Sequence, residues 1–190
     1  MPTNQDARVT KSTEALLKAG LTLLNQNKEA SLSEIATVAG VGRATLYRLY
    51  KNKEELVKAI AIRCIEEYDE AIKPIDKQAK SYIHAFELLF EFTMPMTEQF
   101  QFLINLDYFS PTIPEVEAIF AKQTQEMLEL IEAAQKDGCV DKSLPSEWVN
   151  NLIEGLFYSS WIQQKEHGTS AEETARLTFL CFKRAVTAQS

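Results

Sequence analysis

The sequence predicts an all-α fold, and three observations carry that prediction. Apolar residues recur every third or fourth position along most of the chain, Ser-x-x-Glu or Asn-x-x-Glu start signals precede several of these runs, and no stretch alternates convincingly like a strand. Glycine and proline number six each in 190 residues, about half their usual combined share of roughly 12%, which disfavours a turn-rich all-β chain.

The elements follow in order. Leu16, Leu17, Gly20, Leu21, Leu23 and Leu24 form one stripe of a first helix between Thr10 and Gln26, and Asn27 suits a left-handed cap. Ser31 and Glu34 make a capping box for a short second helix with Leu32, Ile35, Ala36 and Ala39 on its apolar face, stopping at Gly40. A short third helix runs from about Gly42 to Tyr50. Asn52 and Glu55 start a fourth, through Leu56, Ile60 and Cys64 to Ile72, which Lys73 and Pro74 end. Five more helical segments are expected near 77–93, 97–106, 114–137, 145–166 and 170–189, making about nine, with Pro95, Pro111, Pro114, Pro145, Gly138 and Gly168 between or bounding them. Asp137-Gly138 reads as a helix end, Pro145 as a first-turn proline and Ser170 with Glu173 as another capping box.

Composition narrows the function. Cys64, Cys139 and Cys181 are odd in number and widely spaced, suggesting neither a disulfide framework nor a zinc site, and they read as small buried hydrophobes, with thiol sensing left open. No apolar run approaches the ~18 residues needed to cross a bilayer, and residues 1–15 hold no signal core, so a soluble cytoplasmic protein is expected. The net charge of -7 hides an asymmetry: residues 1–58 carry nine Lys/Arg against six Asp/Glu, a net +3, and residues 59–190 eleven against twenty-one, a net -10. Only the N-terminal segment approaches phosphate cheaply. The boundary is expected within the fourth helix, where this balance changes.

The run from Ile35 to Tyr50 carries the functional signal. Two short helices joined through Gly40 cross steeply because glycine takes a positive φ that other residues resist, while Ala36 and Ala39 permit close approach. The exposed face of the third helix then presents Arg43, Thr45, Tyr47 and Arg48, with Lys51 and Lys53 following, groups that donate to phosphates and base edges. Helix pairs with a glycine turn also occur in all-α proteins without any DNA role. Local positive charge and a preceding leucine-rich helix favour the DNA reader.

At these residues the chain resembles the TetR family of bacterial regulators. The match lies in Ile35-Ala36, Ala39-Gly40-Val41, Tyr47, Tyr50, Lys53 and Leu56, within residues 10–60. Departures are Gly42 where serine is frequent, Leu49 where histidine or another aromatic is frequent, and Asn27 where glycine is frequent. The resemblance implies a helix-turn-helix DNA-binding domain over residues 1–55 and an effector-binding and dimerisation domain over 56–190. It also implies that Arg43 and Ala44 face base edges while Thr45, Tyr47 and Lys53 hold the backbone. Arg48 reaches phosphate or is a solvated charge, and Ser33 is a further DNA candidate.

The acidic part is rich in aromatic residues, most of which core packing explains. A mainly hydrophobic effector, as the resemblance implies, has Phe86, Phe90, Phe102, Tyr108, Phe157 and Trp161 as candidate lining residues. The last two helices read as a twofold dimer surface, with Gly155 and Ser159 on one and Phe179, Phe182 and Val186 on the other; a fully internal last helix is the alternative. His84 and His167 stand apart, and no catalytic triad, zinc, phosphate-loop or paired-carboxylate motif occurs, so no enzyme, metal or cofactor is expected. The expected function is a repressor released from a palindromic operator by a small effector. An activator or effector-independent regulator, or an all-helical interaction module, stands as the alternative.

Overall fold

A computed structural model describes residues 4–109 and 113–188. In chain order the helices are α1 (Asn4–Gln26), α2 (Leu32–Ala39), α3 (Arg43–Leu49), α4 (Lys53–Ile72), α5 (Ile75–Gln78), α6 (Tyr82–Thr93), α7 (Thr97–Ile104), α8 (Leu106–Phe109), α9 (Pro114–Asp137), α10 (Ser146–His167) and α11 (Ala171–Val186). A 3-10 turn at Met94–Met96 precedes α7, and no strand occurs among the described residues. The all-α class stands, and every expected segment contains helix. Two of the nine are divided. Ser81 caps α6 by accepting the His84 N–H at 3.3 Å, which separates it from α5. Asn105 divides α7 from α8, because its side-chain amide donates to the Gln101 carbonyl at 2.8 Å and competes with helical pairing. Pro111, expected as a separator, lies outside the described residues.

Local signals placed the ends well. Ser31 and Glu34 form the reciprocal box, the Ser31 N–H donating to the carboxylate at 2.7 Å and the Glu34 N–H to the hydroxyl at 3.3 Å. At α4 the Glu55 N–H donates to Asn52 Oδ1 at 2.8 Å, but the Glu55 carboxylate reaches the Lys51 N–H rather than that of Asn52. Ser170 caps α11, while the Glu173 side chain turns to Arg176 at 2.8 and 2.7 Å. Pro145 is the N-cap of α10, one position before the first turn. Asn27 corrects its expectation, since no non-glycine residue among those described has a positive φ. Its side chain instead accepts from the Glu29 N–H at 3.1 Å, a local turn that ends α1 without the left-handed backbone.

Contacts divide the chain into two compact units, Met1–Glu66 with Glu98–Val116, and Glu67–Thr97 with Glu117–Ser190. In the first, Leu16 and Leu24 of α1, Ile35 and Ala36 of α2, Leu46 of α3, Leu56 and Ile60 of α4 and Phe102 of α7 are buried. A Cβ on Gly20 would stand 2.7 Å from Ile60 Cδ1, so the missing side chain is what lets α1 close onto α4.

The second unit is built on Phe86, Leu89 and Phe90 of α6, Ile131 and Ala134 of α9, Val149 and Ile153 of α10, and Phe182 and Val186 of α11. Burying one such side chain contributes about 1.5–3 kcal/mol. The Phe182 ring lies 4.8 Å from Phe86 and 5.6 Å from Phe90, centroid to centroid. Phe182 and Val186, expected on a dimer surface, are instead 0% exposed within one chain. Ser160 and Thr178 meet at 2.6 Å and join α10 to α11 by a buried hydroxyl pair.

Candidate nucleic-acid interface

Two backbone devices set the reading helix. Gly40 takes φ 66° and ψ 27° after α2, and the Val41 N–H closes back on the Ala36 carbonyl at 2.9 Å, so the chain reverses in three residues. Gly42 begins α3 without a side-chain cap, the Thr45 and Leu46 N–H groups reaching its carbonyl at 3.0 Å. The Glu34 carboxyl is held below the usual carboxylate range by the Ser31 backbone N–H and then by the Ser31 hydroxyl.

Inward, Leu46 and Tyr50 are buried and fix the rotation of α3, and burial pushes the Tyr50 phenol up. Outward, Arg43, Ala44 and Arg48 are exposed, Tyr47 is 51% exposed and Thr45 is half-buried. Four expected reading residues therefore share the open face of a seven-residue helix, with Thr45 at its edge. Ser33 is half-buried on α2 and its carbonyl accepts the Thr37 hydroxyl at 2.8 Å. Lys53 differs from its neighbours. Its Nζ donates to the Lys28 carbonyl at 2.8 Å and lies 5.8 Å from the Phe109 ring centroid, so its ammonium is turned onto the chain itself.

Sequence reasoning missed the polar contacts around Lys28. Lys28 Nζ donates to Asn105 Oδ1 at 2.6 Å and lies 4.7 Å from the Tyr108 ring centroid, and the Tyr108 hydroxyl bonds the Glu29 carboxylate. That hydrogen bond pushes the Tyr108 phenol up. Asn25 donates to the Glu98 carbonyl at 2.8 Å and accepts at its own carbonyl from Gln101 at 3.2 Å. The partners lie 73–79 residues apart and carry no periodic signal.

The six expected effector-lining rings do not form one set. Phe102 stacks on Phe109 at 5.3 Å within the first unit, where Tyr108 also binds Lys28 and Glu29, whereas Phe86, Phe90, Phe157 and Trp161 belong to the second. Phe86 and Phe90 are closed in by Phe182, with Phe157 5.5 Å from Phe90. Of the expected dimer residues, Gly155 and Ser159 are exposed and Phe179 is half-buried. Trp148, 63% exposed, and Tyr158 lie on the same helix. Among the described residues no helix is long and apolar enough to cross a membrane, and no group of three or more His, Cys, Asp or Glu could hold a metal.

Comparison with known proteins finds likenesses over this segment and over the fold. Residues 16–60 match the model for bacterial regulatory proteins of the tetR family. The HTH-type transcriptional repressor LfrR of Mycolicibacterium smegmatis is 24% identical over 155 residues, 80% of this chain and 78% of that protein. The crystal structure of LfrR from Mycobacterium smegmatis in complex with proflavine superposes with a TM-score of 0.77 at 20% identity, covering 96% of this chain and 99% of that one. A TetR family transcription regulator from Marinobacter aquaeolei gives 0.77 at 19% identity over 96% and 99%. With Gly40 setting the turn and Arg43, Tyr47 and Arg48 facing outward, residues 16–60 match the tetR family of bacterial regulatory proteins, and the chain shares the fold of TetR-like transcriptional regulators.

Proposed function

We propose that the chain is a homodimeric repressor in which residues 1–55 read DNA and residues 56–190 serve dimerisation and effector binding. The observation that carries the reading is the open face of α3, on which Arg43, Ala44, Tyr47 and Arg48 stand together while Leu46 anchors the opposite side. Arg43 and Ala44 meet base edges. Thr45, Tyr47 and Arg48 hold phosphates, with Ser33 beside them. Lys53, already committed to the Lys28 carbonyl, braces the reading head rather than gripping the backbone.

A dimer places two such helices in successive major grooves about 34 Å apart, which requires a near-palindromic operator. Its interface uses the open face of α10 and α11, where Gly155 and Ser159 permit close approach and Trp148, Tyr158 and Cys181 are exposed. An effector of mainly hydrophobic character, entering beside Phe157 and Trp161, favours a dimer with differently spaced reading helices and releases the operator. Repression and effector release are supported by the repressor LfrR and by the proflavine held in its structure.

Selection of bound duplexes from random DNA tests the reading. A palindromic consensus with half-sites one helical turn apart, or a multiple of one, is expected, with release of that duplex by proflavine as the first effector probe. Absence of any DNA binding at low salt would overturn it, because even non-specific association should register there.

A further inference from the structure

The chain between α6 and α9 does more than connect. Residues 98–116 group with the N-terminal unit, although the chain enters them from Thr97 and leaves them into Glu117, both in the second unit. Several of their hydrogen bonds fall on the end of α1 and the turn leading into α2. Asn25 pairs twice with α7, Lys28 meets Asn105 and the Tyr108 ring, and Glu29 meets the Tyr108 hydroxyl. Lys28 also presents its carbonyl to Lys53, the first residue of α4. One residue thus ties the α1–α2 turn to α8 with its side chain and to α4 with its backbone.

We propose that Lys28, Asn105, Glu29 and Tyr108 are positioning residues: they form a clamp that holds the α1–α2 turn, and through it α2 and α3, in the geometry that reads DNA. The clamp is polar, with Glu29 and Tyr108 exposed and Lys28 and Asn105 half-buried, unlike the apolar contacts beneath it. Single hydrogen bonds of this kind contribute little net stability each, so the clamp is one that can release while the core stays packed. A reading helix freed from it has more conformations to lose on docking, and affinity falls by the fraction of molecules in the competent geometry.

The proposal rests on the DNA-binding reading above, and its test separates the two. The full-length dimer is titrated onto a fluorescent duplex bearing the selected consensus, and onto a scrambled duplex, between about 50 and about 200 mM salt. Asn105→Ala changes no charge and is expected to weaken consensus binding roughly tenfold with the salt slope unchanged, whereas Asn105→Asp, which still accepts from Lys28 but no longer donates to the Gln101 carbonyl, is expected to lose less than Asn105→Ala. Tyr108→Phe, which keeps the ring over Lys28, is expected to lose a few-fold with an unchanged melting temperature. Combining Asn105→Ala with Lys28→Met should cost less than the product of the two single losses. Unchanged or tighter binding by both Asn105→Ala and Tyr108→Phe, multiplicative losses in the double variant, or a shallower salt slope for Lys28→Met alone, which would make Lys28 a phosphate contact, overturns the clamp. Wild-type protein that binds neither duplex overturns the function and the clamp with it.

Discussion

Phe182 of α11 packs its ring 4.8 Å from that of Phe86 of α6 at a 48° tilt, closing the last helix onto the interior of its own chain. The stability consequence is direct. Phe182→Ala empties a fully buried site and is expected to cost about 3–5 kcal/mol, read from urea denaturation. Cys181→Ser, at the adjacent exposed position, should stay within about 0.5 kcal/mol of wild type. Equal costs at the two positions would mean that α11 is rotated from the orientation described.

Gly40→Ala isolates backbone strain. A Cβ there meets nothing within 4 Å, so packing is untouched, but φ is 66°. A left-handed conformation costs an L-residue about 1–2 kcal/mol, and the melting temperature should fall accordingly. Operator affinity should fall with it, because the turn sets the angle of α3.

Gly155→Leu tests the proposed dimer face. The glycine is exposed on α10 with open space around it in the single chain, so the substitution should leave helicity and monomer stability nearly unchanged. Sedimentation velocity is expected to show the dimer dissociating at concentrations where the wild type stays paired. An unaffected dimer would move the interface elsewhere.

Glu34 links pH to the reading head. Its folded-state pKa lies below the ordinary carboxylate value, first through the Ser31 backbone N–H and then through the Ser31 hydroxyl. A depressed pKa contributes stability that is fully present above the unfolded value and is lost as pH falls through the folded one. Glu34→Gln should therefore flatten part of the fall in melting temperature between neutral pH and the acid side of the carboxylate range. Parallel melting curves for the two proteins across that range would remove the charged box from the account.

Arg43→Ala addresses specificity. A bidentate arginine contact is worth about 1–3 kcal/mol of base discrimination, so consensus affinity should drop from several-fold to about a hundredfold while the melting temperature and the dimer are unchanged. Loss of the same size on scrambled DNA would reassign Arg43 from base edge to phosphate.

Much of the fold was legible because helix ends are written locally. Ser31 with Glu34, Ser170 at its cap, Asp137-Gly138 and Gly40 each act through bonds to residues one to four positions away, and each stands where the spacing placed it. The outward set on α3 was legible for the same reason, since Leu46 and Tyr50 fix which face turns away from the core. Asn27 shows the limit. The same side chain ends a helix by a left-handed backbone or by a local turn, and the neighbouring Glu29 N–H took the second.

What the sequence determined by itself is therefore the run of helices, the glycine turn and the outward face of α3, all of which depend on interactions within about one turn of chain. Only the tertiary structure decided that Phe182 and Val186 face inward, that Phe102 and Tyr108 leave the aromatic set of the second unit, and that Lys53 bends back to Lys28. Those outcomes are settled by partners dozens of residues away. An apolar stripe states that a face needs cover, and a lysine that it needs an acceptor, but neither states which distant segment supplies it.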